Sequence, residues 1–313
     1  MLGAYRMGRP IRRQAPGQYY LFTTRCHQAR FFLRPDAALN AVVLEWLART
    51  QRRFPCVTIH AVCVMSNHLH LLLCDEASEL ADWASYFLGN LARAVNRLRG
   101  RTGSFFERRY SAEPILDVEA LHDRLVYVVT NPVKAELCGR VRNWPGVVLF
   151  AQGGSSESIP VSWMDRSGNP DIGLGAAGSL EAAPRVDEIL VVEPIPSLDS
   201  ADAASVAQAV EARERSLEDG RSNTRRRRMT RARVLAQSWQ SAPRTPKRSF
   251  RPLCHAADPR IREAFARGFQ AFVSGFREAS AMLRDGVREI RFPEWSFPPG
   301  GSLVMPAGWE SAT

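Results

Sequence analysis

The chain has 313 residues, 45% hydrophobic and 24% charged, enough for about two domains of ordinary size and unlike a wholly disordered, collagenous or coiled-coil chain. Six cysteines with no pair at C-x-x-C spacing exclude a disulfide framework and weigh against a zinc ribbon, leaving reduced thiols as in the cytoplasm. A formal net charge of +10 points to a polyanionic partner, and with no apolar run near ~18 residues and none behind the arginine-rich start, neither a membrane span nor a secretory signal is expected.

From the N-terminus, Tyr19 to Thr24 reads as a β-strand, and Pro35 and Asp36 open an amphipathic helix carrying Leu39, Val43, Trp46 and Leu47. Val57 to Val64, β-branched and apolar, is a second strand, Met65-Ser66-Asn67 a tight turn and His68 to Cys74 a third strand, so these two form a hairpin. Phe87, Leu88, Leu91, Val95 and Leu98 recur at helical spacing in a helix from about Ser78 to Arg99, broken by Gly100 to Gly103. Asp117 caps a further helix that ends at about Asn131, because the residue before Pro132 avoids the α region. Together these predict an α+β fold, a small antiparallel sheet with helices packed on one face.

Charge divides the rest. Residues 1–150 and 201–313 each carry +8, whereas residues 151–200 carry −6 and are rich in Gly, Ser and Pro. The expected organisation is a folded domain over 1–150, a linker with little core of its own over 151–200, and a basic, partly helical extension over 201–313. That extension holds seven arginines between Arg221 and Arg233, four of them in the run Arg225 to Arg228, a tract suited to clamping nucleic acid without reading bases. Farther on, Ile261, Phe265, Phe269, Phe272 and Phe276 mark an amphipathic helix in need of a surface to cover, whether the folded domain or another chain.

In His68-Leu69-His70-Leu71-Leu72-Leu73 the strand period of two puts His68, His70 and Leu72 on one face and Leu69, Leu71 and Leu73 on the other. Two imidazoles side by side are suited to holding a divalent cation through neutral nitrogens. On the helix after Asp117, Leu121, Leu125 and Val128 form the face that packs on the sheet, while Tyr127 and Asn131 share another face one turn apart. A Tyr hydroxyl, with a pKa near ~10, needs a polarising cation to attack a phosphodiester. Two histidines and one amide suffice to hold one.

The stretch Ala61-Val62-Cys63-Val64-Met65-Ser66-Asn67-His68-Leu69-His70-Leu71-Leu72-Leu73, followed by Tyr127-Val128-Val129-Thr130-Asn131-Pro132-Val133-Lys134-Ala135, resembles the REP-associated tyrosine transposases, bacterial single-tyrosine HUH transposases of the IS200-like class. Gly103 to Tyr110 resembles the family's linking segment and Tyr20 to Arg25 its first strand, so the likeness spans about residues 15–150. Ser66 stands where a proline is common, and still makes a turn. The resemblance implies a ferredoxin-like fold and a metal-dependent DNA strand transferase acting on single-stranded or hairpin DNA. It implies His68 and His70 as ligands of Mg²⁺ or Mn²⁺ with Asn131 completing the shell, and Tyr127 as a nucleophile forming a 5′-phosphotyrosine link. Monomer and homodimer both stay open.

Arg108, Arg109 and Arg124 are the candidate phosphate contacts, Arg124 lying one turn before Tyr127. Rival tyrosines are Tyr19, Tyr20, Tyr86 and Tyr110, the last suited to base stacking, and His60 lies on the strand next to the pair. Two other readings are a noncatalytic or domesticated nucleic-acid-binding module of the same fold, and a hydrolase that uses metal-bound water instead of the phenol.

Overall fold

The structure is a computed structural model that describes residues 11–152, 154–164, 184–196, 200–222, 228–243, 252–287, 289–299 and 303–304. Arg225, Arg226 and Arg227 of the arginine run lie outside the described residues.

Strand β1 (Gln18–Arg25) leads to helix α1 (Ala37–Arg53), the hairpin β2 (Val57–Val64) and β3 (His68–Asp75), helix α2 (Leu80–Leu98) and strand β4 (Ser111–Ile115). With the short β5 (Val148–Phe150) they form one five-stranded antiparallel sheet in the order β4-β1-β3-β2-β5. Without β5, that order and the β-α-β-β-α-β succession are those of a ferredoxin-like fold, in agreement with the expected α+β class.

Local chemistry fixes these elements. Asp36 caps α1 by accepting from the Leu39 amide at 2.8 Å and also pairs with Arg34 and Arg99. The α1 residues Leu39, Val43 and Leu47 then face Trp83, Phe87 and Leu91 of α2 over Leu69, Leu71 and Leu73 of β3. Asp75, fully buried, accepts from the Gln14 side chain and from the amides of Glu79 and Leu80, which fixes the entry into α2.

The expectation of helices on one face is corrected. Helix α3 (Val118–Lys134) packs Leu121, Leu125, Val128 and Val129 against Leu21, Ala61, Cys63 and Leu72 on the opposite face of the sheet. Burial on both faces accounts for the near-continuous apolar character of β2, in which only Thr58 falls short of full burial. Pro132 also does not stop α3, which runs on to Lys134. Its missing N–H forfeits one helical bond in the last turn, and burial of Asn131 and Val133 holds the turn.

A second correction concerns residues 151–200. They carry strands β6 (Glu157–Met164) and β7 (Arg185–Val192), paired antiparallel and placing Val161, Trp163, Leu190 and Val192 in the same core as α1. Leu190 is 0% exposed, so Leu190→Ala is expected to cost about 2–5 kcal/mol of stability in urea unfolding. A true linker residue would leave the midpoint unmoved.

In the extension, α4 (Ser200–Ser222) and α5 (Arg231–Leu235) supply Val206, Val210 and Val234 to the α3 side of the core. The phenylalanine stripe lies on α6 (Pro259–Arg284), whose C-terminal part packs Phe276, Ala279 and Leu283 on Ile290 and on Phe292 of the short strand β8 (Arg291–Phe292). Strand β9 (Leu303–Val304) pairs with β8. No described helix is long and apolar enough to cross a membrane.

Candidate active site

The sheet register aligns the site. Thr23 of β1 lies opposite His70 of β3 and Arg25 opposite His68, while Cys63 of β2 flanks His70 on the other side. His70 is 6% exposed and His68 half-buried. Their rings meet edge to face with centroids 4.9 Å apart, as adjacent same-face positions of one strand allow.

Each imidazole is oriented by a neighbour. The Asn67 side-chain nitrogen donates to the Ala29 carbonyl at 2.9 Å, which turns the amide oxygen toward His68 Nδ1 at 2.7 Å. An amide oxygen only accepts, so Nδ1 carries the proton and Nε2 is the lone-pair nitrogen. His70 Nδ1 pairs with Thr23 Oγ1 at 2.8 Å. Ala29 and Gln28 reach φ values of 53° and 54°, a left-handed turn that presents the Ala29 carbonyl to Asn67.

Burial, reinforced by the Arg25 charge, pushes the His68 pKa down to about 4, against an opposing interaction with the Asn131 side chain. His70 is held well below the ordinary imidazole value by burial and then by His68, Arg25 and Lys134. Both rings are therefore neutral near pH 7, the state a metal requires.

Helix α3 brings the second motif over this face. Its N-cap, Asp117, accepts from the Ala120 amide at 2.7 Å. The Tyr127 ring meets His70 at 5.5 Å between centroids, and Asn131 hydrogen-bonds both the Tyr127 hydroxyl and His68. Burial raises the Tyr127 pKa, while the Asn131 hydrogen bond and the Arg124 charge oppose that rise. Arg124 and Lys134 stand 5.1 and 4.8 Å from the ring centroid. Tyr127, His68, His70 and Asn131 thus meet within one chain.

The other candidates are elsewhere. Tyr110 stacks on Phe22 at 4.7 Å beneath the Arg12 guanidinium, on the α1 side of the sheet. Tyr20 is buried there too, and Tyr86 packs on Trp46 and Phe54. Tyr19 lies beside His60, whose Nδ1 is 3.0 Å from the Glu193 carbonyl oxygen. Arg108 and Arg109 are exposed just past the Cys26–Phe106 bridge, and Arg109 neighbours Arg12 and Tyr110.

Asn67, Thr23 and Lys134 join the site without having been singled out by sequence reasoning. So does a strap from the extension. The His255 amide donates to the Pro114 carbonyl at 2.8 Å, and His255 Nε2 reaches Glu113 Oε2 at 2.9 Å, while the Ser111 hydroxyl donates to the other carboxylate oxygen, Oε1. The second oxygen of Asp117 accepts from the Ala257 amide at 2.7 Å. Residues more than a hundred positions away thereby secure β4 and the start of the helix that bears Tyr127.

Among the described residues no three His, Cys, Asp or Glu side chains cluster to hold a metal, so a three-ligand shell here requires the Asn131 amide. Two neutral, pre-oriented imidazoles and one amide fit such a shell, and the nitrogen-rich set suits Mn²⁺ better than the oxygen-seeking Mg²⁺. Asn67→Ala removes the partner that fixes the His68 tautomer and is expected to weaken Mn²⁺ binding about 10–100-fold, as read by titration calorimetry.

No family model matches the chain. It is 28% identical over 135 residues, 40% of its length and 74% of the relative's, to a Haemophilus influenzae protein that carries the provisional name REP-associated tyrosine transposase. A solved structure of a REP-associated tyrosine transposase bound to a REP hairpin aligns with 45% of this chain and 81% of its own at 17% identity, with a TM-score of 0.38.

Proposed function

We propose that the chain is a DNA-processing enzyme of the transposase type, which cuts and rejoins single-stranded DNA beside a hairpin through Tyr127. The observation that carries this reading is the convergence of Tyr127 and Asn131, from one helix, on His68 and His70, from the strand beneath. The similarity to the curated relative supports the substrate class, and the motif resemblance supplies the polarity of the link.

In the first step the Tyr127 oxygen attacks phosphorus. A P–O bond to the phenol forms, the P–O3′ bond breaks, and the proton lost by the phenol is balanced by the one gained at the 3′-oxygen. The product is a 5′-phosphotyrosine and a 3′-hydroxyl. Because the phosphodiester bond energy is retained, a second 3′-hydroxyl can reverse the step on a new partner without ATP.

The raised Tyr127 pKa means that the phenol starts protonated, so its negative charge develops only as it attacks. Asn131 orients the hydroxyl by hydrogen bonding, and Arg124 and Lys134 offset the charge that develops on the ring. His68, His70 and Asn131 would hold Mn²⁺ or Mg²⁺, which when bound supplies Lewis-acid polarisation of the scissile phosphate. Thr23 and Asn67 keep the two imidazoles in place for that role.

The test is direct. Labelled single-stranded DNA flanking a hairpin, incubated with the chain and Mn²⁺, should yield a protein–DNA adduct that survives denaturation, together with a fragment ending in a free 3′-hydroxyl. Cleavage without any adduct would instead support attack by metal-bound water.

A further inference from the structure

We propose that the C-terminal extension builds one wall of the DNA-binding surface, in which Arg231 and Arg233, together with Arg142 of the domain, hold the phosphate backbone of DNA as it passes the site. This rests on the proposed function, and it gives the extension a part in that function.

The first observation is placement. The Met229 amide donates to the Glu136 carbonyl at 3.1 Å, just beyond the last turn of α3, which carries Asn131 and Lys134. Eight residues on, Gln237 accepts from the Ser66 hydroxyl at 3.4 Å, in the turn that leads into His68. Arg34 donates to the carbonyls of Leu235 and Gln237 at 3.0 and 3.2 Å, and the Phe31 amide donates to the Ser241 carbonyl at 2.8 Å. Residues 229–241 therefore run from the end of the tyrosine helix to the start of the histidine strand. These are the two elements that supply the chemistry.

The second observation is how the segment is oriented. Val234 is 0% exposed and lies in the core beneath α3, and the Trp239 ring is 6.2 Å from that of Phe32. Thr230 caps the short helix α5. With those residues turned inward, Arg231 and Arg233 are exposed, and among the described residues neither forms an ion pair, whereas nearby Arg228 is paired with Glu218. A segment needed only to cover the core would not require two exposed cations beside a phosphate-processing site.

The third observation is the facing surface. A hollow between this segment and the connection after α3 is lined by Cys138, Gly139, Asn143, Met229 and Arg231, and Arg142, which precedes Asn143 in the chain, is exposed. Guanidinium and amide donors around an open hollow suit phosphate oxygens, and nothing in the set reads a base. The occupant assigned is the phosphodiester backbone itself.

Each phosphate contact contributes about 0.7–0.9 to the slope of log K against log salt, depending on strandedness. Anisotropy titrations in EDTA, which prevents cleavage, would follow a labelled hairpin with a single-stranded flank over a series of salt concentrations. Arg231→Gln/Arg233→Gln is expected to bind about tenfold more weakly than the unsubstituted chain at moderate salt and to flatten the slope by about 2. Arg267→Gln/Arg277→Gln, on exposed positions of α6, removes the same charge and should leave the slope close to that of the unsubstituted chain. Equal losses in both variants, or an unchanged slope in the first, overturn the wall while leaving the proposed function standing. Failure of the unsubstituted chain to bind this DNA overturns both.

Discussion

Tyr127→Phe is expected to reduce the covalent protein–DNA adduct to background, a loss of at least about 1000-fold in strand cleavage, while hairpin binding stays within a few-fold of the unsubstituted chain. The substitution removes one oxygen and leaves the ring that meets His70 at 5.5 Å and packs among the residues of the α3-side core. Only the hydrogen bond to Asn131 is lost, and because Tyr127 is half-buried that costs at most about 1 kcal/mol of stability. Unfolding thus cannot account for the expected loss. The matched control is Tyr110→Phe, in which the ring stacked on Phe22 and beneath Arg12 is kept and the adduct should form as before. Should the Tyr127→Phe chain form adduct at the unsubstituted rate, the nucleophile is another group.

Why the pair of histidines was legible and its surroundings were not follows from what periodicity can carry. A strand period of two is enough to put His68 and His70 on one face, and a helix period places Tyr127 near Asn131; the registers of β3 with β1 and of α3 on the sheet preserve both. Which face a helix covers depends on connections between elements, and the one available signal was the mostly apolar β2, interrupted only by Thr58 and His60, as suits a strand buried on both sides. The hairpin in 151–200 carried its own signal in the alternation Ile159, Val161, Trp163, of which Val161 and Trp163 are buried. The Gly, Ser and Pro content of the connecting stretch outweighed it, since composition averages over a whole zone. The Glu113–His255 contact lies 142 positions apart in the chain. No local rule reaches that far.

The second large effect concerns the cation. His70→Ala leaves one imidazole and one amide, and Mn²⁺ affinity is expected to fall by more than about 100-fold, since loss of an outer partner alone costs about 10–100-fold. Cleavage should fall with it. His70 is 6% exposed and its Nδ1 pairs with Thr23, so the substitution also leaves a hydroxyl unpaired and a small cavity, a cost of about 1–3 kcal/mol. A purely structural histidine would show the second effect without the first, and His60 provides that comparison. It is 2% exposed on the neighbouring strand, with Nδ1 3.0 Å from the Glu193 carbonyl oxygen. His60→Ala is therefore expected to lower stability by a similar amount and leave Mn²⁺ binding within a few-fold. Calorimetric Mn²⁺ titration of both variants beside urea unfolding separates the two roles. If the His70 variant bound Mn²⁺ as tightly as the His60 variant, the ion would have to lie elsewhere, and the convergence of the two motifs would be a matter of packing.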